Sequence, residues 1–180
     1  MILTPHPGEA ARFLRYCGED ISGADRLRVA ELLVRHSGAI CVLKGSKTLV
    51  ATRDGNSYIN TTGNPGMATG GSGDVLTGII AALAGQGHSP ETCAKAGVFL
   101  HGMAGDLCAE SLGETGMTSL DLANMTEYFQ IPELSQNYMA IPLIPSMEET
   151  IADETGQCPK RISRHIRPIW KNIRLPWKLI

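Results

Sequence analysis

The sequence contains little that indicates a membrane or secreted protein. Its longest apolar stretch, residues 75–84, is interrupted by Thr77 and Gly78. It is shorter than the roughly 20 apolar residues that a bilayer span needs. No charged segment followed by an apolar one opens the chain, so the sequence indicates no secretory signal. We therefore expect a cytoplasmic protein without a membrane partner.

The sequence also lacks the cysteine and histidine patterns of disulfide frameworks and metal sites. The five cysteines are an odd number and form no CxxC pair; they are Cys17, Cys41, Cys93, Cys108 and Cys158. This pattern favours reduced thiols that pack as small apolar side chains. The five histidines are scattered, with no carboxylate or cysteine at ligand spacing. We expect no metal held by the protein itself, whereas magnesium carried by a nucleotide is compatible with the sequence.

The composition is that of a globular domain followed by a segment of different charge. The 180 residues are 43% hydrophobic and carry a formal net charge of -2. Residues 160–180 contain seven Lys or Arg and no Asp or Glu, so the preceding chain is acidic. We expect one domain over residues 1–130 and a tail of unknown structure over residues 131–180. The tail shows no motif of a nucleic-acid arm or a membrane-surface helix, so neither partner is expected.

Strand and helix patterns alternate along the first 130 residues. The apolar spacing predicts an α/β fold, a helix-covered sheet. An Asp54-Gly55 pair predicts a hairpin turn between two of its strands. Ligands on such sheets bind near the carboxyl ends of strands, where this order places residues 4–8, 44–47 and 64–73. The predicted strands cover residues 2–3, 39–43, 48–51 and 57–60, and the predicted helices cover residues 8–16, 24–36, 75–84, 90–112 and 119–129.

The glycine-rich residues 64–78, NPGMATGGSGDVLTG, are the most informative segment. Glycines let the backbone approach a ligand closely, and a helix start offers free N–H groups to an anion. The segment lacks the Gly-Lys-Ser/Thr of a Walker A loop and the spacing of a dinucleotide fingerprint. We expect the amides of Gly71, Ser72 and Gly73 to stabilise a transferring phosphoryl group.

Asp74 is the only ionisable residue in this glycine-rich turn. A carboxylate is a poor anion ligand but a good proton acceptor, so Asp74 is a candidate general base. The alternative is that Asp74 only caps the helix.

Two further loops carry candidate binding residues. Residues 4–9, TPHPGE, hold His6 between two prolines, with Glu9 at the start of a helix. A hydrogen-bonded loop histidine beside a helix-dipole carboxylate is the alternative to a binding role. The second loop follows a strand and can clasp a nucleotide phosphate, although a solvated basic turn remains an alternative; its residues are Lys44, Gly45, Ser46, Lys47 and Thr48.

Other polar residues are interpreted as structural. His101 and Asp106 lie five positions apart on a predicted helix and do not share a face well. The arginines of the first two helices are interpreted as solvated; they are Arg12, Arg15, Arg26 and Arg28.

Four segments together resemble one family. LTPHPGE at residues 3–9, VLKGSKT at 42–48, HGMAGD at 101–106 and GMTSLDL at 116–122 join the glycine turn in a fixed order. In that order the chain resembles the carboxyl half of the ADP- or ATP-dependent NAD(P)H-hydrate dehydratases, over about residues 1–130. The resemblance implies a ribokinase-like three-layer α/β/α fold that lacks its amino-terminal half.

The resemblance also implies a reaction and a set of contacts. The family restores hydrated NADH and NADPH by phosphorylating the ring hydroxyl and losing phosphate, which makes it a carbon-oxygen lyase that uses ADP or ATP with Mg2+. It implies that His6 and Asp74 contact the hydrated nucleotide, and that Lys44, Gly45 and Thr48 contact the adenine nucleotide. Ser46 and Lys47 fall at variable places of the same loop. Candidate nucleotide contacts from the glycine turn are Asn64, Thr69, Gly70 and Gly73.

Two other functions remain open. One alternative is another ribokinase-like small-molecule kinase, and the other is a fragment that binds a nucleotide without catalysis. The missing amino-terminal half would leave a sheet edge uncovered, so we expect a homo-oligomer, pairing with a complementing fragment, or poor solubility.

Overall fold

The computed structural model describes residues 1–126, and the segment predicted as a tail lies outside them. These residues contain a four-stranded sheet in the order β1-β2-β3-β4. The strands β1 and β2 pair in parallel, while β2–β3 and β3–β4 pair antiparallel. The strands span Ile2–Leu3 (β1), Ile40–Leu43 (β2), Leu49–Ala51 (β3) and Ser57–Ile59 (β4).

The helices agree with the predicted pattern except at some boundaries. They span Pro7–Tyr16 (α1), Arg26–Ser37 (α2), Ser72–Gly85 (α3), Pro90–Leu112 (α4) and Ser119–Met125 (α5), with a 3-10 turn over Pro65–Met67. Helix α2 begins two residues later than predicted because the Asp25 side chain accepts from the Arg28 amide as its N-cap. The predicted end of the last helix at residue 129 lies outside the described residues.

The start predicted for α3 was wrong by three residues. The helix begins at Ser72, not at Val75, because Gly71 takes the left-handed conformation (φ 87°) as N-cap and the chain is helical from the next residue. The residues predicted as a turn before the helix, from Ser72 to Asp74, are therefore its first turn.

Two apolar clusters on opposite faces of the sheet confirm the three-layer arrangement. On one face Cys41 and Leu43 of β2 pack against α1 and α2, for example against Leu14 and Leu33. On the other face the clustered residues come from the sheet, α3 and α4; they are Ile40, Val42, Val50, Leu76, Ile80, Cys93, Ala94 and Val98. Because successive strand residues point to opposite faces, a strand buried on both sides is apolar throughout, as β2 is.

The parallel pair brings two of the predicted ligand loops together. The carboxyl ends of β1 and β2 are adjacent, and the Lys44 amide donates to the Pro5 carbonyl over 2.9 Å. The predicted hairpin between β3 and β4 is present, and its Asp54 carboxylate accepts from the Asn56 amide and side chain.

The cysteines within residues 1–126 are free thiols, and Cys41, Cys93 and Cys108 are buried. Burial raises the pKa of the Cys41 thiol to about 12. Within this part of the chain no helix combines the length and apolar character that a membrane span requires.

Candidate functional site

The glycine turn ends in a helix start whose amides are only partly used. The Ser72 amide donates to the Thr69 carbonyl over 3.3 Å, and the Asp74 amide donates to the Gly71 carbonyl over 3.0 Å. The amides of Gly71 and Gly73 donate to no other residue within 1–126. Two donors therefore remain at the positive end of the α3 dipole, where an anion is stabilised.

The Asp74 side chain lies in the first turn of α3 and is exposed. The N-cap of this helix is Gly71, and no side chain makes the capping hydrogen bond. The alternative interpretation of Asp74 as a hydrogen-bonded cap therefore does not describe this helix. Its carboxylate has no hydrogen-bond or ion-pair partner among the described residues and can accept a proton from a ligand.

Lys44 links the glycine turn to the loop that follows β1. Its Nζ atom lies 3.2 Å from the position that a Cβ on Gly73 would occupy. The same Nζ lies 3.9 Å from Oε2 of Glu9, and the Lys44 side chain is 27% exposed. One ammonium group therefore stands between the Glu9 carboxylate and the start of α3.

The loop formed by residues 44–48 has an unusual backbone. Gly45 has φ 137°, and Lys47, with φ 53°, is the only residue other than glycine with positive φ within residues 1–126. The Thr48 hydroxyl donates to the Gly45 carbonyl over 3.0 Å. Ser46 and Lys47 are exposed at the tip of the loop.

Arg26 supports this loop, contrary to its interpretation as a solvated helix residue. Its guanidinium donates to the carbonyls of Leu43 and Ser46. No local pattern predicts these contacts, because the partners lie 17 and 20 positions away.

His6 caps α1 and still presents a ring nitrogen to solvent. Its Nδ1 accepts from the amides of Gly8 and Glu9 over 3.1 and 3.2 Å, while Oε2 of Glu9 accepts from the His6 amide over 2.7 Å. That amide bond lowers the pKa of the Glu9 carboxyl, with the His6 and Lys44 charges contributing. Because Nδ1 is an acceptor, the neutral ring carries its proton on Nε2. The structure thus contains the hydrogen-bonded loop histidine, whose half-exposed ring places Nε2 3.5 Å from Oε1 of Glu9.

Two residues of α4 hold the glycine turn in place. The Asp106 carboxylate accepts from the Gly63 amide over 2.9 Å and from the Asn64 side chain over 3.1 Å. The buried His101 ring lies with Nε2 3.3 Å from the Ser72 hydroxyl. Burial lowers the pKa of His101, although the hydrogen bond to Ser72 opposes this shift.

Both α4 side chains are bonded to the glycine turn, although their spacing did not predict a shared face. The Asn64 Oδ1 also accepts from the Gly66 amide over 3.0 Å, so its side chain is occupied within the turn. Thr69 is half-buried and Gly70 is exposed.

Residues 1–126 contain no group of three or more His, Cys, Asp or Glu that could hold a metal ion.

A sequence comparison identifies the family of this domain. The profile of NAD(P)H-hydrate dehydratase matches residues 1–127. The chain belongs to the NAD(P)H-hydrate dehydratase family. This confirms the resemblance drawn from the glycine turn and its neighbouring segments.

Individual relatives agree with this family. The chain is 52% identical over 128 residues to the bifunctional NAD(P)H-hydrate repair enzyme Nnr of Moorella thermoacetica, a match that covers 71% of this chain and 24% of the relative. A crystal structure of the Bacillus subtilis ADP/ATP-dependent NAD(P)H-hydrate dehydratase, co-crystallised with ATP/Mg2+ and soaked with CoA, is 32% identical with a TM-score of 0.60. That match covers 70% of this chain and 46% of the solved one.

The fold of the family is ribokinase-like. A ribokinase-like superfamily protein from Enterococcus faecalis matches with 32% identity and a TM-score of 0.53, over 71% of this chain and 44% of that one. This confirms the predicted α/β fold class. The chain spans 24% of the curated relative's length and less than half of each solved structure.

Proposed function

We propose that this dehydratase-family chain binds an adenine nucleotide and takes part in the nucleotide-dependent dehydration of hydrated NADH and NADPH. The observation that carries the proposal is the position of the Lys44 ammonium beside Gly73, at the start of α3, with the exposed Asp74 one residue further on. A cation, free amides and an unpaired carboxylate are together the groups that phosphoryl transfer requires.

The binding step uses the loop and the helix start together. The amides of Gly71 and Gly73, aided by the α3 dipole, hold the transferring phosphoryl group. The Lys44 ammonium neutralises part of its charge, and residues 45–48 contact the rest of the nucleotide. Asn64, Thr69 and Gly70 shape the turn on the nucleotide side, and the Ser72 hydroxyl is held by His101.

Magnesium is proposed to enter with the nucleotide phosphates. Mg2+ binds through phosphate oxygens and retained waters, with few protein ligands. When bound it neutralises phosphate charge. Two carboxylates flank the start of α3 and Lys44: Asp74, one residue after Gly73, and Glu9, which is held by the His6 amide and lies 3.9 Å from Nζ of Lys44.

The chemical step uses Asp74 as general base. Its carboxylate removes the proton of the ring hydroxyl, and the hydroxyl oxygen then bonds to the terminal phosphorus while the bond to the departing nucleotide breaks. Phosphate then leaves the ring carbon and a proton leaves the neighbouring carbon, which restores the double bond. His6 orients the hydrated ring through its Nε2 proton.

Recovery of the reduced-nicotinamide absorbance tests this proposal. The 180-residue chain is mixed with hydrated NADH, magnesium and either ADP or ATP. We expect recovery that depends on the nucleotide. Absence of recovery with both nucleotides would contradict catalysis by this chain alone.

Nucleotide binding without catalysis is the second candidate, and one observation favours it. The chain matches only 46% of the solved dehydratase, so further parts of that fold have no counterpart in the match. Calorimetric binding of ADP or ATP without recovery of absorbance would select this candidate. For either function we propose a cytoplasmic location, because NADH, NADPH, ADP and ATP are metabolites of the cytoplasm.

A further inference from the structure

We propose that Arg26 is a positioning residue for the adenine-nucleotide loop, residues 44–48. The inference rests on the proposed function, in which this loop contacts the nucleotide. In this proposal a side chain on α2 holds the loop in the conformation that binds the nucleotide. That side chain lies outside every segment interpreted as ligand-binding.

The guanidinium of Arg26 donates hydrogen bonds to three backbone carbonyls, which belong to the loop and to the end of the strand before it. Its Nη2 donates to the Leu43 carbonyl over 3.1 Å and more weakly to the Lys44 carbonyl over 3.4 Å. Its Nη1 donates to the Ser46 carbonyl. Hydrogen bonds from a charged donor are stronger than neutral ones, so this fork is a substantial restraint on a short loop.

The restraint acts on a loop with two residues of positive φ. Lys47 adopts φ 53°, a backbone conformation that is unfavourable for residues with a side chain. Gly45 adopts φ 137°. A Cβ on Gly45 would lie 3.2 Å from Nη2 of Arg26, so the guanidinium packs directly against the bare Cα. The Thr48 hydroxyl donates to the Gly45 carbonyl within the loop, and the loop ends are anchored by the Lys44 amide on Pro5 and by the Thr48 carbonyl, which accepts from the Asn60 amide.

Holding the carbonyls also orients the amides. In a trans peptide unit the C=O and N–H bonds point in opposite directions. Since the carbonyls of Lys44 and Ser46 face Arg26, the amides of Gly45 and Lys47 face away from it. Neither amide donates to another residue within 1–126, so both remain available to a nucleotide.

The chemistry of the contact requires arginine specifically. A guanidinium is a planar fork that reaches two acceptors at once, whereas an ammonium is a point charge on a flexible stem. The position of Arg26 is fixed as the first residue of α2, directly after the capping Asp25. Arg28 on the same helix pairs instead with Glu31 over 3.7 Å, and it therefore provides a matched control.

The test combines a local readout with a binding readout on the full chain. The variants are Arg26→Gln, Arg26→Lys and, as control, Arg28→Gln. Endoproteinase Lys-C cleavage after Lys44 and Lys47 is followed by mass spectrometry without ligand, each site resolved from the other lysines. Calorimetry then measures the affinity for ADP and for ATP.

We expect Arg26→Gln to speed cleavage at Lys47 about tenfold and to weaken nucleotide binding by a similar factor, as loss of charge-assisted hydrogen bonds would produce. Cleavage at Lys95 on α4 should stay at the wild-type rate. Arg26→Lys should be intermediate in both readouts, and Arg28→Gln should match the wild type.

The proposal is overturned if Arg26→Gln retains wild-type cleavage at Lys47, or if cleavage rises equally at all lysines, because that indicates general destabilisation. If Arg26→Gln does not fold, wild-type values for Arg26→Lys overturn it. Failure of the wild-type chain to bind ADP or ATP would contradict the proposed function, while the Lys47 cleavage rates would still decide whether Arg26 orders the loop.

Discussion

At the scale of single residues, His6 caps α1 and is also proposed to contact the substrate with the same ring. Its Nδ1 accepts two amides at the start of α1, which leaves Nε2 as the hydrogen-bond donor of the ring, 3.5 Å from Oε1 of Glu9. Asparagine can cap a helix but cannot place a donor where Nε2 lies. The two roles can therefore be separated by substitution.

We expect His6→Asn to retain the stability of the wild type and His6→Ala to lose about 1 kcal/mol, the usual value of an N-cap. Both variants should raise KM for hydrated NADH, because both lack the Nε2 proton. Thermal unfolding and initial rates provide the two measurements. A wild-type KM in His6→Asn would show that Nε2 does not contact the substrate.

The buried His101 makes stability depend on pH. Burial lowers its pKa from the ordinary value of 6.5, so the folded protein keeps the ring neutral where the unfolded chain protonates it. The stabilisation is complete above pH 6.5 and is lost as the pH falls toward the lower folded pKa. Carboxyl groups whose pKa is lowered in the folded protein affect its stability only at lower pH, below about pH 4.5.

Between about pH 7 and pH 5.5 the wild type should therefore lose unfolding free energy. His101→Gln should lose much less over the same interval. Urea unfolding at both pH values measures the difference. An equal loss in the two proteins would mean that His101 is not the group that titrates.

The sequence revealed the roles of some residues and not of others. Asp74 and Lys44 stand in local motifs, and the segments around them identified the family. The contacts of Arg26 and Asp106 join positions that are 17 to 43 apart in the chain. Such contacts depend on how α2 and α4 pack, and helical spacing alone does not contain that information.

At the scale of elements, the start of α3 depends on one glycine. Gly71 has φ 87°, and a Cβ on it would lie 2.6 Å from the Ser119 hydroxyl of α5. A side chain there is strained both by its own backbone and by its neighbour. Gly78 lies on the exposed side of the same helix with no atom within 4 Å of its Cβ position.

Gly71→Ala should destabilise the protein by about 2 kcal/mol, through backbone strain and the clash with Ser119. Gly78→Ala should stabilise it by about 0.5 to 1 kcal/mol, because alanine is the better helix former. Urea unfolding of the two variants measures both effects. Effects of the same sign and size would contradict the geometry assigned to Gly71.

Element types were predictable, whereas some boundaries were not. The spacing of apolar residues located the strands and the five α-helices within residues 1–126 but not the 3-10 turn over Pro65–Met67, and the Asp54-Gly55 pair located the hairpin. The first turn of α3 was missed because Ser72-Gly73-Asp74 resembles a loop in composition. Its helical conformation follows from the left-handed Gly71, which the sequence alone does not reveal.

At the scale of the whole molecule, β1 has β2 as its only strand partner within residues 1–126. An unpaired strand edge favours pairing with another chain. We therefore expect a second copy or a complementing fragment to cover it, so the purified chain should be larger than its 19.3 kDa monomer. Light scattering measures this mass, and a monodisperse monomer would contradict the expectation.

The central claim is that Asp74, at the start of α3, acts as general base beside a bound nucleotide. Comparing the recovery of NADH by the wild type and by Asp74→Asn tests it most directly, with ADP and ATP affinities measured in parallel. We expect Asp74→Asn to lose about 10²- to 10⁴-fold in rate with nucleotide affinity largely unchanged. Recovery by Asp74→Asn at the wild-type rate would contradict it.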